Sequence, residues 1–206
     1  MEVILLTSPA SIKDMENFAA LAALTCHANT DKKTFIPEAV LRGILRLGHE
    51  SILEHITLTY SVKYLSRACL QELARHRHIS LSVESTRHTL TKNATREFIE
   101  KHFPYSSGKF GSIDSLKYAE AEHFITLAEN YPALSDDELK YFLPEFWPTN
   151  LILTSNIREL RHILKLRTSP AALKEFRSLA YSLYEAIPEE YRYLLEDCVY
   201  RENGHD

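Results

Sequence analysis

Apolar and polar positions follow two different periods along this chain, and the two periods predict a mixture of strands and helices. Alternation with a period of two, or a short β-branched run, predicts strands at residues 3–6, 56–64, 79–83 and 150–155. Apolar residues three and four positions apart predict helices at residues 13–27, 37–47, 66–75, 113–129, 136–142, 156–167 and 169–187. This order favours a helix-rich α+β fold.

Several of these helices carry boundary signals. Pro37 suits a first helical position, and Gly48 suits the residue that follows a last turn. Asn156, with Glu159 three residues later, has the sequence of a capping pair. Ser169-Pro170 predicts the start of the last helix.

One stretch rich in glycine and serine, residues 104–112, predicts a loop or a mobile lid. A length of 206 residues is close to that of a single domain, and neither side of this stretch has an obviously complete core pattern. We therefore expect one domain over residues 1–206.

Composition excludes several classes of protein. With 24 Lys and Arg against 28 Asp and Glu, the formal charge is −4, too acidic for a protein whose main task is to coat nucleic acid. The longest apolar run, residues 18–24, is too short to cross a membrane, and the amino terminus lacks a signal-peptide pattern. Cys26, Cys69 and Cys198 have neither disulfide nor zinc spacing, so we expect a reducing, cytoplasmic location.

Arginine is concentrated near the middle of the chain, where Arg75-His76-Arg77-His78 lies at a predicted helix–strand junction. The five glycines form neither a Rossmann turn nor a P-loop, so a bound phosphate would meet arginines and helix ends. Glu72 can orient Arg75 or accept a hydrogen bond from a ligand. The alternative is a surface helix end whose cations complement the helix dipole.

Two histidines and two glutamates lie close together in residues 48–55, Gly-His-Glu-Ser-Ile-Leu-Glu-His. A zinc hydrolase motif needs histidines four apart, whereas His49 and His55 are six apart. The spacing favours a polar ligand clamp or a capped helix–strand junction over a metal site.

A third cluster lies on the predicted helix that begins after Asn156. Arg158 and His162 are four residues apart and share one face. Arg167 follows the apolar stripe, so we expect it to be partly buried and to meet an anionic or carbonyl-rich partner. That partner is either a ligand or a carboxylate of the same chain.

These clusters match one family. Arg75-His76-Arg77, followed after seven residues by Ser85, resembles the R-H-R-x7-S signature of the flavin-dependent thymidylate synthases, and Arg87 lies where that family has its next arginine. Residues 48–55 resemble the family's G-H-x-[ST]-x-x-E-H segment, and residues 156–167 resemble its N-x-R…L-R segment. Because order and spacing agree across residues 48–167, the chain is identified by resemblance as a member.

The resemblance implies reductive methylation of dUMP to dTMP. Methylenetetrahydrofolate would give the carbon, reduced FAD the hydride, and NADPH the electrons that reduce the flavin. It also implies a homotetramer with active sites at subunit interfaces, and a fold in which a helix bundle packs on a twisted, mostly antiparallel sheet. No bound metal, nucleic acid or membrane is expected.

The resemblance also assigns site residues position by position. The catalytic set is Arg167, Arg75 and Ser85, with Arg167 stabilising charge on the uracil carbonyl oxygens. The dUMP contacts fall on Glu72, Arg75, Glu84, Ser85, Thr86, Arg87, Lys140 and Arg167. The flavin contacts fall on His49, Ser51, Glu54, Arg75, His76, Arg77, Asn156, Arg158 and His162.

Three positions depart from the family's commonest pattern. Lys140 stands where arginine is frequent, His162 stands where asparagine is frequent, and Cys26 stands where a serine near the flavin phosphate is frequent. Lysine keeps the charge at its position but loses the planar fork of arginine.

Two other functions remain open on the residues alone. One is a nucleic-acid-binding module that uses residues 75–78 as a basic hook, and it predicts salt-sensitive binding. The other is a metallohydrolase built on residues 49–55, and it predicts loss of activity with a chelator. Neither predicts a flavin spectrum.

Overall fold

The computed structural model describes residues 1–26, 34–103 and 112–201, and residues 91–93 by their backbone alone. The strands in this part of the chain are β1 (Glu2–Leu5), β2 (Thr57–Ser66), β3 (Ile79–Val83) and β4 (Pro148–Asn156). The helices are α1 (Pro9–Cys26), α2 (Pro37–Leu47), α3 (Arg67–Leu73), α4 (Thr86–Asn93), α5 (Arg96–His102), α6 (Ile113–Asn130), α7 (Asp136–Leu139), α8 (Ile157–Arg167) and α9 (Lys174–Glu185). Short 3₁₀ segments lie at Glu50–His55, Lys140–Phe142, Glu189–Leu194 and Glu196–Cys198.

The strands form one antiparallel sheet in the order β1-β2-β4-β3. β1 pairs with β2 so that Glu2 lies opposite Lys63 and Leu5 opposite Tyr60. The middle of β2 alternates buried Leu58, Tyr60 and Val62 with less buried residues, as its sequence period predicts. The predicted α+β class, with helices and a mostly antiparallel sheet, is confirmed.

Packing divides the chain into two compact units. The first comprises Met1–Lys63, Cys69–Ser82 and Leu151–Asp206. Within it α1 packs on α2, α8 packs on α9, and α9 lies against β1. The buried faces are supplied by alanines of α1 and by large apolar residues of the other elements: Ala19, Ala20, Leu41, Ile44, Leu58, Leu153, Leu160, Ile163, Phe176 and Leu179.

A buried ion pair connects α8 to the carboxy-terminal 3₁₀ segments. Arg161, only 2% exposed, donates two hydrogen bonds of 2.6 Å to the carboxylate of Asp197 and one of 2.7 Å to the carbonyl of Leu194. Its Nε also donates to Glu50 at 3.1 Å. The guanidinium therefore has the partners that a buried charge requires.

The second unit comprises Tyr64–Ala68 and Val83–Asn150, and its core is aromatic. Trp147 stacks on Phe98 with ring centres 5.2 Å apart and meets the edge of Phe124 at 5.3 Å. Leu90 of α4, Ile99 of α5 and Ile125 of α6 complete this core, among other residues. The segment between β3 and residue 104 thus forms two helices, which the sequence periods did not predict.

Most predicted helix ends are correct. Gly48 adopts φ of +71°, the left-handed conformation that glycine tolerates, and its N–H caps α2. α9 begins at Lys174 rather than at Ser169-Pro170, because residues 169–172 form a separate turn closed by a hydrogen bond from the Ala172 N–H to the Ser169 carbonyl. The predicted loop at 104–112 lies, apart from Ser112, outside the described residues. No helix in the described ranges is long and apolar enough to span a bilayer.

Candidate active site

The loop between α3 and β3 directs three neighbouring side chains to different surroundings. α3 ends at Leu73, and the His76 N–H donates to the Leu73 carbonyl in the turn that follows. His76 is buried, with 7% exposure, whereas Arg75 and Arg77 are exposed. Residues 75–77 follow the end of α3 and precede β3, as the predicted helix–strand junction requires, and this loop gives adjacent side chains different surroundings.

His76 lies between a carboxylate and a guanidinium. Its Nδ1 is 3.0 Å from Oε1 of Glu159, and Arg167 Nε donates to its Nε2 at 3.3 Å. Arginine Nε always carries a hydrogen, so His76 Nε2 must be the acceptor and Nδ1 must carry the proton. His76 is therefore neutral in this arrangement and donates to the carboxylate of Glu159.

Arg167 is held on three sides. Its Nη1 donates to Oε2 of Glu72 at 3.1 Å, and its guanidinium carbon lies 4.5 Å from the centre of the Phe176 ring. Its side chain is 20% exposed. The expected partial burial and the expected carboxylate partner are both present, with a histidine and an aromatic ring in addition.

Burial lowers the pKa of His76 below its ordinary value of 6.5, and the positive charge of Arg167 lowers it further. The hydrogen bond to Glu159 opposes this shift. His76, Glu159 and His162 bring nitrogen and oxygen atoms within 4.8 Å of one another. Both nitrogens of His76 are already engaged, so His76, Glu159 and Arg167 form a hydrogen-bond network, which His162 meets through a ring contact with His76.

Two adjoining cavities open at this network. One of about 510 Å³ is lined by Glu50, Glu54, His78, Asn156, Arg158, Glu159, His162 and Lys165. The other, of about 660 Å³, is lined by Glu72, Arg75, His76, Arg77, His78, Glu159, His162, Leu166 and Arg167. His78, Glu159 and His162 line both cavities. Each volume is within the usual range for small-molecule sites.

The segment after Gly48 contributes carboxylates rather than histidines to these cavities. Arg158 donates to Glu54 at 2.5 Å, and Glu50 accepts from Arg161 and from Lys165. Although burial alone would raise the pKa of Glu50, the hydrogen bond from Arg161 and that from Lys165 lower it. His49 and Ser51 are exposed and line neither cavity.

The second unit holds the remaining predicted dUMP contacts. Arg87 and Lys140 converge on one carboxylate, because each donates to Asp137 at 3.1 Å. Both hydrogen bonds lower the pKa of Asp137, and the one from Lys140 has the largest effect. Glu84 accepts from the Asn150 amide at 2.6 Å.

Ser85 and Thr86 lie at the start of α4. Ser85 is the N-cap residue of α4, but its exposed hydroxyl makes no capping bond. Thr86, half-buried, is the first residue of the helix.

Comparison with known proteins gives the family. The sequence profile of the thymidylate synthase complementing protein family matches residues 8–191, which include all of the residues named above in both cavities. The chain belongs to this family. The resemblance inferred from the three motifs is thereby confirmed.

Curated and solved relatives of the family agree with the match. Over 191 residues the chain is 39% identical to the flavin-dependent thymidylate synthase of Campylobacter jejuni strain RM1221, covering 88% of this chain and 91% of that protein. It is 40% identical over 187 residues to the enzyme of the same name from Wolinella succinogenes, covering 85% and 90% of the two chains. The crystal structure of thymidylate synthase X from Helicobacter pylori with FAD and dUMP is similar at a TM-score of 0.82 and 32% identity, over 98% of this chain and 100% of that one.

Two members of the network were missed as site residues. Glu159 was predicted only as a capping partner; Asn156 does cap α8 through the Glu159 N–H at 2.8 Å, but the Glu159 carboxylate turns to His76 instead of back to the cap. Phe176, which meets Arg167 and His76 through its ring, lies in the predicted helix at residues 169–187, and no site role was predicted for it. A signal for Glu159 was available, since it lies four residues before Ile163 on the buried face of α8.

Proposed function

We propose that this chain is a thymidylate synthase that uses FAD to convert dUMP to dTMP. In the balanced reaction, dUMP, methylenetetrahydrofolate, NADPH and a proton give dTMP, tetrahydrofolate and NADP⁺. The C5–H bond of uracil is replaced by a C5–methyl bond, and the two electrons come from NADPH. The observation that carries the proposal is the family match across residues 8–191, and a constrained Arg167 that lines the larger of the two cavities supports it.

The residues that line the cavities fit a flavin nucleotide. Asn156, Arg158 and His162 offer amide, guanidinium and imidazole groups to one cavity. Arg75 and Arg77 offer guanidinium groups to the other cavity, where the ring of His76 is part of the lining. Polar donors of this kind match the carbonyl oxygens, ring nitrogens and phosphates of FAD. We assign these six residues and Glu54 to FAD. When bound and reduced, FAD supplies the hydride that completes the methyl group.

Arg167 is the residue that we assign to the reacting uracil. Uracil C5 is nucleophilic toward the methylene carbon when the ring has enolate character, with negative charge on its carbonyl oxygens. A guanidinium that is already fixed by Glu72, His76 and Phe176 stabilises this charge without reorganising. Glu72 and Arg75 lie beside Arg167 at the same cavity and contribute further contacts to dUMP.

The phosphate of dUMP is assigned to the start of α4. The hydroxyls of Ser85 and Thr86, the N–H groups of the first turn, and the cations Arg87 and Lys140 are suited to a dianion. Asp137, which both cations now contact, holds them together before the anion arrives. We assign Glu84, held by Asn150, to the same nucleotide.

The remaining expectations concern assembly and location. We propose that residues 1–206 act as one catalytic domain and that four copies assemble with active sites at their interfaces. The exposed His49 and Ser51, which line neither cavity of their own chain, would reach a flavin held mainly by a neighbouring copy. Cys26, Cys69 and Cys198 are free thiols, which supports a cytoplasmic enzyme.

A spectrum tests the cofactor assignment. The purified protein with FAD should show the flavin absorbance bands between about 350 and 500 nm, and NADPH should bleach them under anaerobic conditions. Arg158→Ala and His162→Ala should weaken FAD binding, whereas Arg46→Ala, an exposed arginine outside both cavities, should leave it unchanged. A protein that binds no FAD would exclude the proposed function.

A further inference from the structure

The Glu159 carboxylate is buried on the face of α8 that is otherwise mainly apolar. It is 8% exposed and lies on α8 beside the fully buried Leu160 and Ile163. The His76 ring is its side-chain partner, at 3.0 Å. Burying a carboxylate lowers the stability of the fold unless hydrogen bonds compensate for the lost hydration. The hydrogen bond between Glu159 and His76 is therefore the contact that indicates the role of Glu159.

We propose that Glu159 is a positioning residue for the thymidylate synthase reaction, because it fixes the tautomer of His76 and thereby aims Arg167 at the uracil. This inference rests on the proposed function. The Glu159 carboxylate accepts a hydrogen bond from the Nδ1–H group of His76. The proton is then on Nδ1, and the lone pair of Nε2 faces Arg167. Only this tautomer can accept the Arg167 Nε–H bond.

The alternative tautomer would break the arrangement. With its proton on Nε2, His76 would present an N–H to the N–H of Arg167, and its bare Nδ1 would face the Glu159 carboxylate. Both contacts would then be repulsive. Arg167 would lose one of the two hydrogen bonds that fix the plane of its guanidinium over Phe176.

The charged and titratable groups around His76 influence which of its two tautomers is present. Glu159 and His162 face it from α8, and Arg167 faces it from the end of the same helix. The packed group from α9 is the uncharged Phe176, whose ring centre is 5.8 Å from that of His76. Glu159 is the carboxylate among these neighbours, and its oxygen is the atom that contacts Nδ1 of His76.

Two substitutions of similar volume separate hydrogen bonding from packing. In Glu159→Gln the amide oxygen still accepts from Nδ1, so His76 should keep its tautomer and dUMP affinity should stay within about threefold of wild type. In Glu159→Leu no acceptor remains, so His76 should shift toward the Nε2–H tautomer and dUMP should bind at least tenfold more weakly. Glu189→Leu, at an exposed position away from both cavities, is the matched control and should match wild type.

The tautomer is measured in the ligand-free protein by ¹⁵N NMR of labelled histidine, with His76 assigned by its loss in His76→Asn. The dissociation constant of dUMP is measured by calorimetry on the FAD-loaded protein. An Nδ1–H signal in wild type and Glu159→Gln that is lost in Glu159→Leu, with affinity following it, supports the proposal.

Three results would overturn it: a wild-type His76 with its proton on Nε2, equal affinity in wild type and both variants, or equal loss in both variants with the tautomer unchanged. The wild-type spectrum decides the first of these even if a variant fails to fold. Absence of dTMP formation by the wild-type chain would instead count against the proposed function, since the tautomer is read without any ligand.

Discussion

The guanidinium of Arg167 lies over the ring of Phe176, with 4.5 Å between the guanidinium carbon and the ring centre. In this position its Nε donates to His76 and its Nη1 donates to Glu72. Of the five N–H groups of arginine, three then have no partner among the described residues. These three groups, beside the cavity that Arg167 lines, are available to the carbonyl oxygens of a pyrimidine.

Replacing Arg167 tests its role in the chemistry. Arg167→Ala should slow dTMP formation by about 10²–10³-fold at saturating substrates, a barrier increase of roughly 3–4 kcal/mol, because a preorganised donor to the developing charge is lost. Arg167→Lys should also be slow, since lysine has no Nε–H for His76 and no planar face for Phe176. Turnover is measured by chromatography of dTMP, with Arg46→Ala as the control. Unchanged turnover in Arg167→Ala would remove Arg167 from the chemistry.

Replacing Ser85 tests whether this residue binds dUMP or acts as a nucleophile. Ser85→Ala should raise the dissociation constant of dUMP about tenfold, because a hydroxyl that contacts the phosphate is lost, and should change kcat much less. Calorimetry and steady-state kinetics at saturating dUMP measure the two effects. Ser82→Ala, on the neighbouring exposed strand position, is the control. Complete loss of turnover at saturating dUMP would indicate a nucleophilic serine instead.

Loss of the hydroxyl should change the free energy of unfolding differently at two buried tyrosines, Tyr60 and Tyr193. The hydroxyl of Tyr60 has no hydrogen-bond partner among the described residues, whereas that of Tyr193 donates to Glu16 at 2.5 Å. Tyr60→Phe should leave the free energy of unfolding unchanged or raise it, because an unsatisfied polar atom is removed. Tyr193→Phe should lower it by about 1–3 kcal/mol, because a buried carboxylate loses its donor. Urea unfolding measures both, and equal losses would contradict this assignment.

The ion pair of Arg161 and Asp197 predicts a pH-dependent contribution to stability. Burial alone would raise the pKa of Asp197, but the hydrogen bonds and charge of Arg161 lower it below the ordinary 3.8. The contribution is therefore present above pH 3.8 and is lost as the pH falls through the lowered pKa of the folded state.

Asp197→Ala should accordingly lower the free energy of unfolding by about 1–3 kcal/mol near neutral pH. The loss is smaller than for a fully buried ion pair because the Asp197 side chain is 57% exposed. The difference from wild type should shrink in acid. Urea unfolding at several pH values measures it, with the exposed Asp14→Ala as control. A difference that does not vary with pH would show that the pair's ionisation is not responsible.

The sequence periods predicted the elements that carry the site because each of them has one strongly apolar face. α8, with Asn156 at its cap and Ile157, Leu160 and Ile163 on one side, is the clearest example. α4 and α5 escaped prediction because α4 carries a single buried apolar residue, Leu90, in a mostly polar segment. Their burial depends on Trp147 and Phe124, which are distant in sequence.

Motif spacing predicted which residues matter but not how they are held. Arg167 was expected to find an anionic partner, and the partner is Glu72, 95 residues away in sequence. The role of Glu159 could not be read from its position in a capping sequence, because its actual partner, His76, is 83 residues away. The place of Glu159 on the apolar face of α8 indicates burial, but the identity of its partner depends on the fold.

The electrons for the new methyl group should come through flavin and not from the folate. Purified protein is incubated anaerobically with FAD, dUMP, methylenetetrahydrofolate and NADPH, and both products are identified by mass spectrometry. We expect dTMP and tetrahydrofolate in equal amounts, and no dTMP when FAD-free protein is assayed without added FAD. Formation of dTMP with dihydrofolate, or no dTMP from folded protein that has bound FAD, would contradict this expectation.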